Sequence, residues 1–255
     1  MKYAALLLII SLIPIFLHFG CDSSDPVSPD DTTVTDIDGN VYDIVQIGDQ
    51  WWMAENLRTT RYRNGDDIPT GLSHDDWRYA ESDAYAMYPH DDVDGISTEA
   101  EMIEAYGLLY NWHAATDERG LCPEGWHLPG DDDFQKLTIF LGLSHEEADS
   151  SGLLGAGEGG KMKSIRTEPQ SHPRWDSPNP GATNESGWSG LPAGARLFHG
   201  SFSFAGLAGY WWSATESTEY HEDSAWYHSV YSSNDQIGRY YHFKHNGFSV
   251  RCLRD

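Results

Sequence analysis

Positive charge is scarce in this chain of 255 residues. Lysine and arginine together number 16, against 40 aspartates and glutamates, which gives a formal net charge of −24 at pH 7. No run of basic residues is long enough to follow a phosphate backbone, so the composition argues against nucleic acid as a partner. The acidic balance is instead typical of an exported protein that stays soluble and meets cations or neutral sugars.

Long apolar runs are also scarce, and the single one present lies at the N-terminus. It extends from Ala4 to Phe19 after one positive charge at Lys2. At about 16 residues it is shorter than the ~20 that a membrane-spanning helix needs. Residues 1–20 are therefore predicted to be a secretory signal peptide rather than part of a domain.

The residues around Cys21 resemble the lipobox of bacterial lipoproteins, in which the cysteine becomes the first residue and receives the lipid. The resemblance implies lipidation of Cys21, a flexible tether over residues 21–33, and attachment to a membrane of the bacterial cell envelope, with the domain periplasmic or surface-exposed. His18 and Phe19 depart from the usual small or aliphatic residues. Cleavage by the general signal peptidase, which would give a secreted protein, is the alternative.

Cysteine is nearly absent from the rest of the chain, where only Cys122 and Cys252 are found. In a chain bound for an oxidising compartment, the simplest interpretation is one disulfide between these two residues. Two free thiols are the alternative. A metal site on Cys122 and His127 would need two further ligands, and the sequence spacing supplies none.

Turn residues and alternating apolar residues predict one mostly antiparallel α+β domain over residues 34–255. Residues 35–57, with turns at Asp-Gly-Asn and Gly-Asp, predict a β-meander. The Gly-, Pro- and Asn-rich stretch between residues 150 and 200 predicts a long irregular loop region. Three alternating runs predict a closing antiparallel sheet, at residues 225–233, 238–245 and 247–255.

The stretch GLCPEGWHLPGDDDFQKLTIFLG, residues 120–142, contains a histidine and three aspartates that could be taken for a chemical site. Its apolar spacing predicts a helix over Asp131–Leu141 that ends at Gly142. The aspartates then occupy the first turn, where carboxylates are stabilised by the helix dipole. Adjacent positions on a helix point in different directions, so the stretch is interpreted as a structural corner.

Seven motifs follow one another along the chain: DIDGNVYDIVQIGDQWWMAENL, YGLLYNWHAA, LCPEGWHLPGDDDFQKL, SPNPGATNESGW, LPAGAR, GYWWSATES and GFSVRCLRD. Together they resemble the Fibrobacter succinogenes major paralogous domain, a family of exported bacterial proteins, from Thr35 to Asp255. The family has no established molecular activity, so the resemblance implies a fold and export but no specific function. Gly130, at a position where the family usually has Ser or Thr, is one departure.

WHLPGDDDFQKL is also similar to the RLPTEAEWE helix start of formylglycine-generating enzymes, and GFSVRCLRD to their closing strand. This distant resemblance implies a C-type-lectin-like fold, a small twisted, mostly antiparallel sheet with about two helices and long irregular loops. Those enzymes hold copper with two cysteines five residues apart, but Gly247 stands where the partner of Cys252 would be. No other catalytic motif is present, so the chain is predicted not to be an enzyme.

Residues His90–Glu101 can be aligned with the twelve positions of a calcium-binding loop. Asp92, Asp94 and Glu101 then occupy ligand positions. His90 stands where the first carboxylate belongs, and Ser97 where an aliphatic residue usually lies. Calcium is therefore the only candidate cofactor, and a solvated acidic loop is the alternative.

The loop region from Met162 to Phe204 is the predicted binding face. Trp175 and Trp188 lie outside any periodic apolar pattern, so both rings are predicted to be exposed for stacking on sugars. Of the neighbours Trp211 and Trp212, one is expected to face the core and one the solvent. The other predicted contacts are Asn179, Asn184 and Glu185. In the alternative, SPNPGATNESGW is internal scaffolding whose polar groups satisfy the backbone.

The combined prediction is an exported, lipid-anchored surface binding or adhesion module without catalysis, with polysaccharide as a candidate ligand. The alternative is a structural cell-envelope protein that binds only protein neighbours. An enzyme similar to the formylglycine-generating oxidases is the remaining alternative.

Overall fold

Short strands and short helices alternate along the chain in a computed structural model that describes residues 32–218 and 221–255. The predicted signal peptide, Cys21 and nearly all of the predicted tether lie outside the described residues. The strands are β1 (Thr33–Thr35), β2 (Val41–Ile47), β3 (Gln50–Met53), β4 (Tyr85–Ala86), β5 (Leu109–Tyr110), β6 (Trp126–His127), β7 (Gly152–Leu154), β8 (Ala193–Arg196), β9 (Phe202–Ala205), β10 (Ala208–Ser217), β11 (Ser224–Tyr231), β12 (Ile237–Phe243) and β13 (Leu253–Arg254).

Six α-helices and one 3₁₀ helix (His90–Asp92) lie between these strands in the described part of the chain. The α-helices are α1 (His74–Arg78), α2 (Glu99–Tyr106), α3 (Trp112–Ala115), α4 (Asp131–Leu141), α5 (His145–Asp149) and α6 (Glu158–Met162). The α+β class is thus confirmed, and the two helices longer than five residues are α2 and α4. Residues 32–255 form one compact unit. None of the helices described is long and apolar enough to cross a membrane.

The first sheet has the strand order β1-β2-β3-β13-β6 and is antiparallel throughout. Its first three strands confirm the predicted meander. The turn between β1 and β2 is held by Asp36, whose carboxylate accepts the N–H groups of Asp38 and Asn40 and the hydroxyl of Tyr42. A single aspartate therefore fixes the first hairpin.

The second sheet has the order β7-β12-β11-β10-β8-β9, in which β8 and β10 are parallel and the other pairs antiparallel. The prediction of a closing three-stranded sheet is only partly right. Strands β11 and β12 pair as expected, but β13 joins the first sheet, where Leu253 lies between Trp52 and His127. The C-terminal residues therefore connect the two sheets.

Helix α4 begins and ends where the sequence predicts. Phe134, Leu137 and Leu141 are buried, and the chain leaves the helix at Gly142, whose φ of 131° is unfavourable for residues with a side chain. At the other end Gly130 has no side chain to cap the helix. Instead, the hydroxyl of Thr215 on β10 accepts the N–H of Asp131 at 2.9 Å.

The predicted disulfide between Cys122 and Cys252 is present. The two Cα atoms are 5.8 Å apart, and both residues are buried in the core. The bond joins the segment before β6 to the residue before β13, so it fixes the chain terminus to the first sheet.

The expectation that Trp211 or Trp212 faces solvent is wrong, because both side chains are fully buried. The ring of Trp211 packs edge-on against Trp188 at 4.6 Å, whereas Trp212 packs against Phe248 at 4.4 Å. Both faces of this part of β10 are covered by other segments. Successive side chains in this part of β10 therefore point alternately into two buried cores, and neither side faces solvent.

Candidate functional site

An open groove of about 1260 Å³ lies between helix α2 and the loop of residues 164–174. Residues 54–56 after β3 and the segment around Ser189 and Leu191 also line it. These segments come from distant parts of the sequence. The groove is the candidate site because ligand pockets of proteins are typically concave and of this order of size.

Helix α2 forms one wall, and its start is fixed by reciprocal hydrogen bonds. The hydroxyl of Thr98 accepts the N–H of Glu101 at 3.2 Å, and the Glu101 carboxylate accepts the N–H of Ser97 at 2.7 Å. Met102 and Tyr106 bury the inner face of the helix. The residues of this helix that line the groove are Ala100, Glu101, Glu104, Ala105 and Tyr106.

The loop of residues 164–174 forms the facing wall and is tied to α2 through Tyr106. The hydroxyl of Tyr106 lies 2.7 Å from Nδ1 of His172 and 3.1 Å from the carbonyl oxygen of Arg174. Burial raises the pKa of Tyr106 to about 12, so this hydroxyl keeps its proton at neutral pH. On its other side, Nε2 of His172 lies 2.9 Å from the carbonyl oxygen of Asp94. The loop is therefore positioned by hydrogen bonds at both ends of one imidazole ring.

Beneath the groove lies a fully buried guanidinium, that of Arg251. It donates to Oδ1 of Asn56 and to the carbonyl oxygens of Trp188 and Ser189, and it lies over the Trp188 ring at 4.1 Å. No carboxylate forms an ion pair with it among residues 32–218 and 221–255. Burial lowers the pKa of Arg251 to about 9. This side chain holds Asn56 and Ser189 in place on the groove floor.

The prediction that Trp175 and Trp188 are exposed stacking platforms is wrong, because both are 0% exposed. The indole N–H of Trp175 donates to the hydroxyl of Ser164 and to the carbonyl oxygen of Gly190, each at 3.1 Å. The loop around these rings is irregular, but it folds over them. The polar residues around Trp175 and Trp188 in the sequence therefore do not mean that the two rings are exposed.

The three other predicted contacts lie in different environments. Asn179 is buried and donates to the carbonyl oxygen of Ser164, whereas Asn184 lines the groove and forms two hydrogen bonds with Ser189. Glu185 is exposed outside the groove lining. The contacts of the two asparagines match the alternative in which this segment is internal scaffolding.

The predicted calcium ligands are not brought together. Asp92 and Asp94 are exposed and line a separate pocket of about 260 Å³, whereas the carboxylate of Glu101 caps α2. Within the described ranges, no group of three His, Cys, Asp or Glu side chains is arranged to hold a metal ion.

The walls of the groove differ in charge. The carboxylates on the side of α2 and the first sheet are Asp43, Glu55, Glu101 and Glu104, and the guanidiniums on the loop side are Arg166 and Arg174. Arg58 pairs with two of these carboxylates from behind. On the loop wall, Ile165 is 61% exposed, and the only Phe, Tyr or Trp among the described lining residues is the buried Tyr106.

The predicted binding region from Met162 to Phe204 contains the loop wall of the groove, but the groove residues of α2 and of the first sheet were not predicted. Ile165 is an isolated apolar residue in the otherwise polar segment KSIRTEPQ. A single β-branched residue there has no periodic partner that would place it in a core, which is compatible with an exposed position but does not by itself mark a binding site. The carboxylates of the facing wall gave no such signal, because acidic residues are common throughout this chain.

The fold and the groove define an α+β domain pinned by one disulfide and presenting a charged cleft. Its sequence places it in a family: residues 45–254 match the Fibrobacter succinogenes major domain, and the chain belongs to that family. The family prediction is therefore confirmed. No curated protein and no solved structure matches the chain, so the likeness to formylglycine-generating enzymes and C-type lectins stays a prediction.

Proposed function

We propose that the protein is a binding module of the bacterial cell envelope that holds an extended segment of a neighbouring protein in the groove. The observation that supports this most strongly is the pairing of two oppositely charged walls, one of which also presents the exposed side chain of Ile165. A polypeptide segment offers charges of both signs and apolar side chains within a few residues. The groove therefore offers complementary chemistry for a protein ligand.

Polysaccharide is the less favoured ligand because the predicted stacking surfaces are missing. Sugars commonly dock their apolar faces on flat aromatic rings, and the indoles of Trp175 and Trp188 are fully buried. The proposed role is binding alone, without catalysis and without a bound cofactor. This favours the protein-neighbour alternative over the sugar-binding one.

The groove can be tested with the full-length protein on two arrays. One array displays short peptides from the exported proteins of the producing bacterium, and the other displays glycans, with and without EDTA. We expect binding to a subset of peptides that combine basic, acidic and apolar residues. Binding to glycans together with silence on the peptides would overturn the proposal.

Two groove variants sharpen this test. Ile165→Asp places a charge where an apolar contact is expected, and Arg166→Glu reverses a charge on the loop wall. Each variant should weaken peptide binding about tenfold or more, the effect expected for a residue at the centre of an interface. Leu153→Asp is the matched control, since Leu153 is 44% exposed on β7 and lies outside the groove. Equal binding by all three variants would place the binding site elsewhere.

The membrane attachment is a separate part of the proposal and has its own test. Labelled fatty acid should be incorporated into the wild-type protein but not into Cys21→Ser. Equal labelling of both, or labelling of neither, would mean that Cys21 is not the attachment site. The protein would then reach its partner without a lipid at this position.

A further inference from the structure

Four of the twelve histidines of the chain gather around two phenylalanines at one end of the second sheet, and a fifth, His113, lies near His245. The members of this group, which we call the histidine clasp, are His113, His199, His221, His242, His245, Phe198 and Phe243. They come from α3, the loop between β8 and β9, the connection after β10 and the end of β12. The clasp therefore joins segments that are distant in the sequence.

Apart from His113, the rings of the clasp are in direct contact. Phe198 stacks on His242 with ring centroids 5.7 Å apart, and Phe243 stacks on His245 at 5.4 Å. His221 meets the edge of Phe243 at 5.6 Å. Neutral imidazoles pack well against phenyl rings, whereas several imidazolium ions held this close together would repel one another.

The hydrogen bonds of His242 require a neutral ring. Its Nδ1 accepts the N–H of Phe243 and the side-chain N–H of Asn246, both at 2.9 Å. An imidazolium has a proton on both nitrogens and accepts nothing. Asn246 in turn accepts the N–H of Phe198 through Oδ1 at 2.9 Å. Proton uptake at Nδ1 would therefore break the contacts that link β12 through Asn246 to the loop at Phe198.

Few charges in the described residues could compensate added protons. Asp223 lies 3.4 Å from Nδ1 of His245, and the neighbouring Lys244 pairs with Glu216 at 3.0 Å. Asp223 also acts to raise the pKa of His113, as Asp83 does more weakly, whereas Lys244 and His245 act in the opposite direction. Asp223 is the one carboxylate in contact with these rings among the described residues, and a single carboxylate is insufficient for several imidazolium ions.

We propose that the clasp is an acid-sensitive device that holds the loop of residues 198–201 against β12 at neutral pH and releases it in mildly acidic solution. The proposed loss of the contacts in acid agrees with the direction in which burial shifts the pKa of the buried imidazoles. Burial lowers the pKa of His242, with the charge of His245 acting in the same direction, and burial also lowers the pKa of His113 and His245. A group that resists protonation in the folded state stabilises that state less as pH falls below its unfolded value of about 6.5. The proposal does not depend on the groove.

Hydrogen exchange of the full-length protein tests it. Between about pH 7.5 and about pH 5.5, the protection factors of amides in residues 198–201 and 242–246 should fall about tenfold or more, the effect expected from losing the hydrogen bonds to His242. The double variant His242→Gln/His245→Gln should lose most of this difference, because glutamine can accept a hydrogen bond but does not titrate. His145→Gln, at an exposed position on α5, should behave as the wild type. Unchanged wild-type protection, or an equal fall in the double variant, would overturn the proposal.

A second measurement needs no variant. In the wild-type protein, the NMR signals of the His242 and His245 rings should titrate below the ordinary histidine value, together with the amide signals of Phe198 and Asn246. Histidine signals that titrate without any change at those two amides would show that the rings do not control the loop.

Discussion

The carboxylate of Asp131 lies 2.7 Å from Nη2 of Arg239, where helix α4 begins against strand β12. A second contact, at 3.0 Å, joins the same carboxylate to Nε2 of His228 on β11. All three residues are buried, and the His228 ring stacks on Phe134 at 4.2 Å. The aspartate that looked like part of a chemical site is therefore the ionic link between α4 and the second sheet.

Removing the charge of Asp131 should destabilise the fold strongly. Asp131→Asn leaves the guanidinium of Arg239 buried without a counter-ion, and breaking a buried ion pair in this way typically costs about 3–5 kcal/mol. Asp132→Asn is the matched control, since Asp132 is exposed one position further along α4 and should change stability by less than about 0.5 kcal/mol. Denaturation in guanidinium chloride measures both. Similar midpoints for the two variants would contradict the assigned role.

Acid should destabilise the same cluster over two ranges of pH. Burial lowers the pKa of His228 from its ordinary 6.5, so the unfolded chain takes up a proton that the folded chain resists, and stability falls as pH drops below that value. Burial acts to raise the pKa of Asp131, but hydrogen bonds from His228 and Arg239 hold it well below 3.8. Its contribution is therefore complete above pH 3.8 and is lost as the pH falls further.

The first range can be assigned by substitution. His228→Gln should reduce the loss of stability between about pH 7 and about pH 5, while leaving the part that other buried histidines contribute. Denaturation midpoints measured across this range report the difference. A wild-type midpoint that does not change with pH, or an identical slope in the variant, would contradict the prediction.

The sequence predicted the elements whose signals are local and failed where burial depends on distant segments. Helix α4 was predicted to the residue because its apolar spacing and Gly142 lie within one stretch. Trp175 and Trp188 were wrongly predicted to be exposed, because an apolar repeat reveals burial only in helices and strands. In an irregular loop, burial depends on how the loop folds over other segments. β13 was misassigned because strand partners lie far away in sequence. The loop wall of the groove lies within the predicted binding region of Met162–Phe204, but the facing wall was not predicted, since it comes from segments between Asp43 and Gly107.

Loss of the disulfide should destabilise the domain without changing its fold. The bond between Cys122 and Cys252 spans 130 residues, and removal of a native disulfide typically costs about 2–5 kcal/mol. Cys122→Ala/Cys252→Ala should therefore unfold at a clearly lower denaturant concentration than the oxidised wild type. Cys21→Ser is the control, since the disulfide does not include Cys21. A double variant as stable as the control would show that the bond does not contribute.

Replacement of Lys163 by an apolar residue should destabilise the fold, although most lysines lie on the surface and tolerate substitution. Its ammonium is buried and donates to the carbonyl oxygens of Pro180, Tyr231 and Asn234 at 2.7–3.0 Å, and burial lowers its pKa to about 8. Lys163→Met leaves three carbonyls without this donor, at a cost of about 1–3 kcal/mol for each buried group left unpaired.

The exposed Lys136 on α4 provides the comparison for that variant. Lys136→Met removes only solvent-exposed ion pairs with Asp132 and Asp133 and should change stability by less than about 1 kcal/mol. Thermal unfolding measures the two variants side by side. A smaller loss for Lys163→Met than for Lys136→Met would mean that the carbonyls find other partners.

Gly107 should be essential for the wall of the groove, because it ends α2 where the helix meets the chain after β3. Its φ is 74°, and a Cβ added there would lie 2.8 Å from the carbonyl oxygen of Leu57. Gly107→Ala therefore combines backbone strain of about 1–2 kcal/mol with a clash against backbone that cannot move aside cheaply. Gly65→Ala is the matched control, since Gly65 has a φ of 93° and open space around the added methyl group. The difference in unfolding free energy between the two variants isolates the cost of the clash.

Gly107→Ala should also weaken peptide binding, because relief of the clash displaces α2. Equal stability of the two variants would show that α2 can shift freely, and the groove would then not be a fixed binding site.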